Sequence, residues 1–150
     1  RPIDRDEAQQ ALEGLRQLGA RLRQWLDEVL GARADQRLPA PSDRRQSIHG
    51  FIAGEHRRGI GLADLARHLG LSPNRAAHVV RALCGRTFVQ LLTEARLRTA
   101  CTLLARTDLN VGDVATRSGF GDADHFHRVF RRSLMTTPAA YRRQPPVVEA

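Results

Sequence analysis

Over residues 1 to about 33, apolar side chains recur at alternating spacings of three and four. Ala8, Ala11, Leu15, Leu18, Leu22, Trp25 and Val29 form a heptad seam. Leu12, Leu26 and Leu30 widen the seam into a stripe, so the pattern predicts one long amphipathic helix. A stripe this broad favours packing on the rest of the chain or on a preceding part, and a dimerisation helix is the alternative. Gly31, Pro39 and Pro41 break the rhythm, and residues 34–46 read as a polar linker.

From Ser47 the apolar stripes become short and sharply punctuated. Ile48, Phe51 and Ile52 mark a helix ending near His56. The next is expected over 62–69, with Gly61 as its N-cap, Asp64 facing the helix dipole and Gly70 as its terminator. Ser72-Pro73 opens a further helix to about Leu83, with Ala76, Val79, Val80 and Leu83 inward. Two helices across so tight a turn make a helix-turn-helix. Phe88 to about Arg106 then reads as a longer helix of about 28 Å. Asn110, with Asp113 three residues on, resembles a capping box opening a second unit. Its first helix ends at Gly119, and its second runs from about Asp122 to Ser133 with Phe126, Val129 and Phe130 inward. Pro138 reads as a stop, Tyr141-Arg142-Arg143 as a short terminal helix or tail, and Pro145-Pro146 as the end of ordered structure.

The two units align. Leu65-Ala66 matches Val114-Ala115 and Gly70-Leu71 matches Gly119-Phe120 at an offset of 49; after one extra residue in the second turn the offset becomes 50. Ala76 then pairs with Phe126, His78 with Arg128, Val80 with Phe130, Arg81 with Arg131 and Gly85 with Met135. Generic amphipathic helices share an apolar rhythm, but seldom a turn glycine, its apolar neighbour and two basic positions as well. Leu62–Thr87 and Val111–Thr137 read as a duplication. The whole is an all-α chain of two helix-turn-helix subdomains, 47–86 and 108–143, joined by a spacer helix within 87–107. An N-terminal amphipathic helix precedes them and a tail, 144–150, follows.

Charge adds a partner to this picture. The 150 residues carry a formal +8, divided into −1 over residues 1–43 and +9 over residues 44–150. The positive field lies with the repeated half and suits a polyanion. All the basic charge is arginine, as in GC-rich genomes, so net charge says more than arginine count. Cys84 and Cys101 are too few for a disulfide framework and lack zinc-site spacing, which points to a reducing cytoplasm. No apolar run reaches membrane-spanning length. No signal peptide opens the chain, and a start at Arg1 reads as the C-terminal part of something longer or as a processed form.

The second helix of a helix-turn-helix reads base edges in the major groove with its N-terminal half. In the first unit Asn74, Ala77 and His78 are the base-reading candidates, since asparagine pairs with adenine and alanine offers contact to a thymine methyl. Arg75 and Arg81 are the phosphate candidates. In the second unit Ala123, Asp124, His125 and Arg128 are the base-reading set, with Arg128 suited to bidentate guanine recognition. Asp124 either accepts from cytosine or caps its helix, the cap being favoured. His127, Arg131 and Arg132 are the phosphate set. The spacer can hold two readers apart by nearly one turn of B-DNA, about 34 Å, so that both meet successive major grooves.

Residues 47 to about 143 resemble the DNA-binding domain of AraC/XylS-type transcriptional regulators. The resemblance rests on Gly119-Phe120, Asp122, Phe126, Arg128-Val129-Phe130-Arg131, Thr137-Pro138 and Tyr141-Arg142. Arg96-Leu97, Ala100 and Leu103-Leu104 in the spacer, and Leu65-Ala66 through Leu71-Ser72, extend it. It implies seven helices in two helix-turn-helix subdomains on a rigid spacer, sequence-specific double-stranded DNA binding in the bacterial nucleoid, and activation through RNA polymerase. It also implies an N-terminal sensor half, of which residues 1–33 would be the end; homodimerisation would run through them or through that half. No jelly-roll strand pattern is present, so no effector site is assigned. The chain departs from the family where a bulky apolar residue, Phe, Arg and Gly would usually stand, at Ala76, Val80, His78 and Met135 respectively. A thinner first core and a strained turn at Met135 are expected. Because histidine donates less readily than arginine, the second unit is expected to supply most of the base readout.

Two other readings compete. An enzyme would need more than His125 and His127, which diverge at i, i+2 on a helix, or than Cys84 and Cys101, which lie in no activated setting. No catalytic residue, metal or cofactor is therefore expected. A helix-turn-helix that has lost specific DNA binding and docks a protein is the alternative function, kept open by Ala77, His78 and Asp124. Arg128, Arg131, Arg132 and the +9 of the repeated half stand against it.

Overall fold

The computed structural model describes residues 5–35 and 40–144, and every regular element among them is helical. The calls on residues 1–4, 36–39 and 145–150 lie outside the described residues, as do the side chains of Val29 and Leu30. Two compact units divide the chain, residues 1–40 and 41–150. The first holds helix α1, Arg5–Asp35. Its 31 residues span about 46 Å, and the predicted stripe is on its surface, with Trp25 58% exposed and Leu12, Leu15, Leu18, Leu22 and Leu26 also open.

The second unit contains α2 (Pro41–Glu55), α3 (Leu62–Leu69), α4 (Pro73–Cys84), α5 (Phe88–Arg106), α6 (Val111–Arg117), α7 (Ala123–Leu134) and α8 (Pro138–Arg143). Two expectations need correction, and both concern proline. Pro41 does not sit in a linker but opens α2, so residues 41–46 are helical; Pro138 does not stop the chain but opens α8. Proline breaks a helix interior, yet at the first position its missing N–H was to be unpaired anyway and its fixed φ suits the helix. Asp43 in the first turn of α2 and Thr137 as N-cap of α8 supply the signals that accompany such starts.

Capping sets the remaining boundaries. Gly61 N–H donates to the Asp64 carboxylate at 2.8 Å, Ser72 Oγ accepts from Arg75 N–H at 3.3 Å, and Thr87 exchanges bonds with Gln90 in a full capping box. Asn110 Oδ1 accepts from Asp113 N–H at 2.8 Å. Gly70 and Gly85 close α3 and α4 in the left-handed conformation, as their lack of a Cβ permits.

Two buried clusters share α5. Ile48 and Ile52 of α2, Leu65 and Leu69 of α3, and Val79 and Val80 of α4 pack with Phe88, Leu91, Leu92 and Ala95 from the N-terminal half of α5. Leu97, Ala100 and Leu104 from its C-terminal half pack with Val114, Ala115, Phe120, Phe126 and Phe130. The spacer is thus a wall of both cores.

Candidate nucleic-acid interface

The repeat is written in the hydrogen bonds as well as in the residues. Leu71 N–H donates to Ala66 C=O and Phe120 N–H to Ala115 C=O, each at 2.9 Å and offset by 49. Gly85 N–H donates to Arg81 C=O at 3.0 Å, and Met135 N–H to Arg131 C=O at 2.9 Å, now offset by 50. Thr87 caps α5 and Thr137 caps α8 at 3.2 Å each, again 50 apart. The extra residue is in the turn before α7, where Gly121 has no counterpart between Leu71 and Ser72. Helix pairs with the same turn and C-terminal backbone bonds present equivalent outer faces.

On α4 the exposed positions Asn74, Ala77, His78 and Arg81 fall at i, i+3, i+4 and i+7 and form one stripe. On α7 the equivalent stripe is Asp124, His127, Arg128 and Arg131, all exposed. Behind them Ala76, Val79 and Val80, or Phe126 and Phe130, are buried, which fixes the roll of each helix and keeps the stripe outward. Arg75 is only half-buried, at the side of its stripe. Ala123, His125 and Arg132 are exposed but lie off the α7 stripe, with the His125 ring 6.1 Å from that of Phe120. His127 approaches Phe126 at 5.9 Å, so the H-x-H pair faces two directions.

One assignment changes. The cap of α7 is Asp122, whose carboxylate accepts from Asp124 N–H at 3.0 Å; Asp124 occupies the exposed first turn, where its charge meets the positive end of the helix. The expected cap at Asp124 belongs to Asp122 instead, because a carboxylate in a first turn and one at the cap give similar sequence signals.

Burial pushes both thiols up, with Arg45 opposing at Cys84 and a hydrogen bond from Tyr141 opposing at Cys101. Among the described residues no group of three His, Cys, Asp or Glu side chains is placed to hold a metal, and no helix is long and apolar enough to cross a membrane.

Further side-chain hydrogen bonds tie distant segments together. Arg96 of α5 donates from Nε to His56 C=O at 2.8 Å and from Nη2 to Arg58 C=O at 2.9 Å. His56 donates from Nδ1 to Ala53 C=O at 2.9 Å, and its Nε2 lies at hydrogen-bond distance, 2.7 Å, from Thr99 Oγ1. Arg142 of α8 donates to Leu109 C=O, tying the last helix to the start of the second unit. Sequence gives no signal for such bonds beyond a basic residue at the edge of an apolar stripe.

Against known proteins, a helix-turn-helix domain family matches residues 65–144, more than half of the chain. The arabinose operon regulatory protein of Salmonella typhimurium is 30% identical over 132 residues, 88% of this chain and 45% of that protein. The transcriptional activator NphR of a Rhodococcus species is 38% identical over 89 residues, 59% of this chain and 26% of that protein. This chain therefore spans less than half the length of either relative. Among solved structures, the DNA-binding domain of the global transcriptional factor AdpA, in complex with a target DNA, superposes with a TM-score of 0.61 at 29% identity, covering 66% of this chain and 94% of that one.

Proposed function

The chain belongs to the AraC/XylS-type helix-turn-helix family of DNA-binding transcription regulators, and on that premise we propose that it reads two successive major grooves of duplex DNA, one with α4 and one with α7. The observation that carries this reading is the pair of equivalent exposed stripes, 74/77/78/81 and 124/127/128/131, mounted on a shared spacer. Nineteen residues of α5 measure about 28 Å, close to the 34 Å repeat of B-DNA.

In each of these helices the N-terminal half reaches base edges and the surrounding basic residues hold phosphate. Asn74, Ala77 and His78 form the base set of α4, with Arg75 and Arg81 on the backbone. Asp124 and Arg128 lead the base set of α7, flanked by Ala123 and His125, with His127, Arg131 and Arg132 on the backbone. The second unit carries more of the readout, because Arg128 can make two parallel bonds to one guanine whereas His78 cannot. The regulator acts as an activator through RNA polymerase, a reading that activators among its relatives support.

Selection of bound sites from a random duplex library tests the proposal. Two short blocks about one helical turn apart are expected, with affinity falling steeply as salt is raised. No enriched sequence, with only weak salt-sensitive binding, would refute it and favour a protein-docking role.

A further inference from the structure

Resting on that bipartite reading, we infer that Arg96 is a positioning residue that sets the permitted spacing between the two DNA half-sites, by clamping the turn before α3 against the turn before α7. Arg96 divides the two cores on α5: Ala95 belongs to the first and Leu97 to the second. Its guanidinium uses two donors on two carbonyls, those of His56 and Arg58, in the turn between α2 and α3. The same spot receives the second unit. Gly119, in the turn between α6 and α7, has φ +93°, and a Cβ there would lie 2.4 Å from His56 O, 2.9 Å from Arg57 Cα and 3.0 Å from Arg96 Nε. Two of those three atoms are backbone and have no rotamer by which to retreat.

The equivalent glycine of the first unit makes the meaning plain. Gly70 has the same left-handed backbone, but a Cβ there would meet nothing within 4 Å. The turn itself needs the conformation in both units; only at Gly119 does it also need the absence of a side chain. The two readers are therefore connected twice, through α5 and through the turn-on-turn contact pinned by Arg96. A single helical connection leaves one end free to twist against the other, whereas a second connection removes that freedom. Each base pair added between half-sites rotates the second groove by roughly 34° and moves it by about 3.4 Å, so a clamped pair of readers must lose one contact when spacing changes.

The test measures affinity of the whole chain and of Arg96→Met for the selected site, for versions lengthened or shortened by one and two base pairs, and for each half-site alone. The unaltered chain should lose about tenfold or more for one base pair, a loss of one bidentate base contact. Arg96→Met should lose no more than about threefold across the series while keeping its half-site affinities, and Arg96→Lys, with one donor group in place of the fork, should fall between. Gly119→Ala should shift the preferred spacing, because it wedges the turns apart. An Arg96→Met protein that keeps the original spacing preference overturns the inference alone. One that loses affinity equally at every site and half-site also overturns it, showing a merely structural arginine. If the unaltered chain is itself indifferent to spacing, the bipartite reading fails first.

Discussion

The two helix-turn-helix units use the same backbone bonds and fill them with different side chains. Where α7 buries Phe126 and Phe130, α4 buries Ala76 and Val80, and all four are fully shielded from solvent. In the second unit the rings of Phe120, Phe126, Phe130 and Tyr141 form a ladder with centroids 5.0, 5.4 and 5.6 Å apart, the last two contacts edge-on. In the first, the large side chains come from outside α4: Ile48 and Ile52 of α2 and Phe88, Leu91 and Leu92 of α5 pack in one cluster with Val79 and Val80, with partly buried Phe51 against it. Ala76, small as it is, is fully shielded from solvent. The caps and turn bonds specify the motif, while core volume is free to move between helices as long as the sum packs.

The sharpest way to break that comparison is truncation at one equivalent pair. Phe130→Ala removes a ring from the aromatic ladder and should lower unfolding free energy by about 3–5 kcal/mol; Val80→Ala, removing two methyls, should cost about 2 kcal/mol. Urea unfolding of the two variants measures both. Equal losses would mean that the cores do not differ in kind.

The outer faces give the next largest effect. Arg128→Ala should cost about 1–3 kcal/mol in binding, roughly 5- to 150-fold, and relax preference at one base pair of the site, while His78→Ala should cost less than about 1 kcal/mol. Titration of both variants on the selected duplex and on single-base variants separates readout from backbone grip. Equal losses of specificity would place the two units on the same footing.

The αL closures offer a smaller, cleaner exchange. Gly85 and Met135 end α4 and α7 at positive φ, 68° and 56°, and Met135 is 87% exposed. Packing therefore contributes little at that methionine and backbone strain dominates. Gly85→Met should cost about 1–2 kcal/mol, whereas Met135→Gly should gain less than about 1 kcal/mol, because glycine also loosens the unfolded chain. Midpoints of thermal unfolding check both signs.

Much of this was legible in the residues. Ser72-Pro73, Asn110 and Gly70 are strong local signals, and α3, α4, α5 and the repeat itself followed from them. Pro41 and Pro138 misled because proline opens helices as readily as it ends them, and only the residues that follow decide. Asp122 and Asp124 are hard to tell apart in the sequence because two carboxylates two positions apart both suit a helix start. The Arg96 clamp was invisible for a different reason: its acceptors are carbonyls 38 and 40 residues away, and a carbonyl is the same at every position. Local signals fix elements, and contacts to backbone across the fold leave no mark in the sequence.

The smallest expected effect lies in alkaline solution. Burial pushes the Cys84 thiol of the first unit up, and in the second it pushes up both the Cys101 thiol and the Tyr141 hydroxyl, which are hydrogen-bonded to each other. For such groups the unfolded chain releases its protons first as pH rises. Stability is therefore full below the ordinary thiol value of about 8.5 and declines as pH climbs through it toward the raised folded values. Urea midpoints from about pH 7 to about pH 11 should show that decline, and Cys101→Ala should flatten it more than Cys84→Ala at the top of that range, because Tyr141, raised first by burial, then loses the thiol that raises it further. An equal flattening by the two alanines would assign the alkaline loss to simple burial of each thiol, with no contribution from the Cys101–Tyr141 pair.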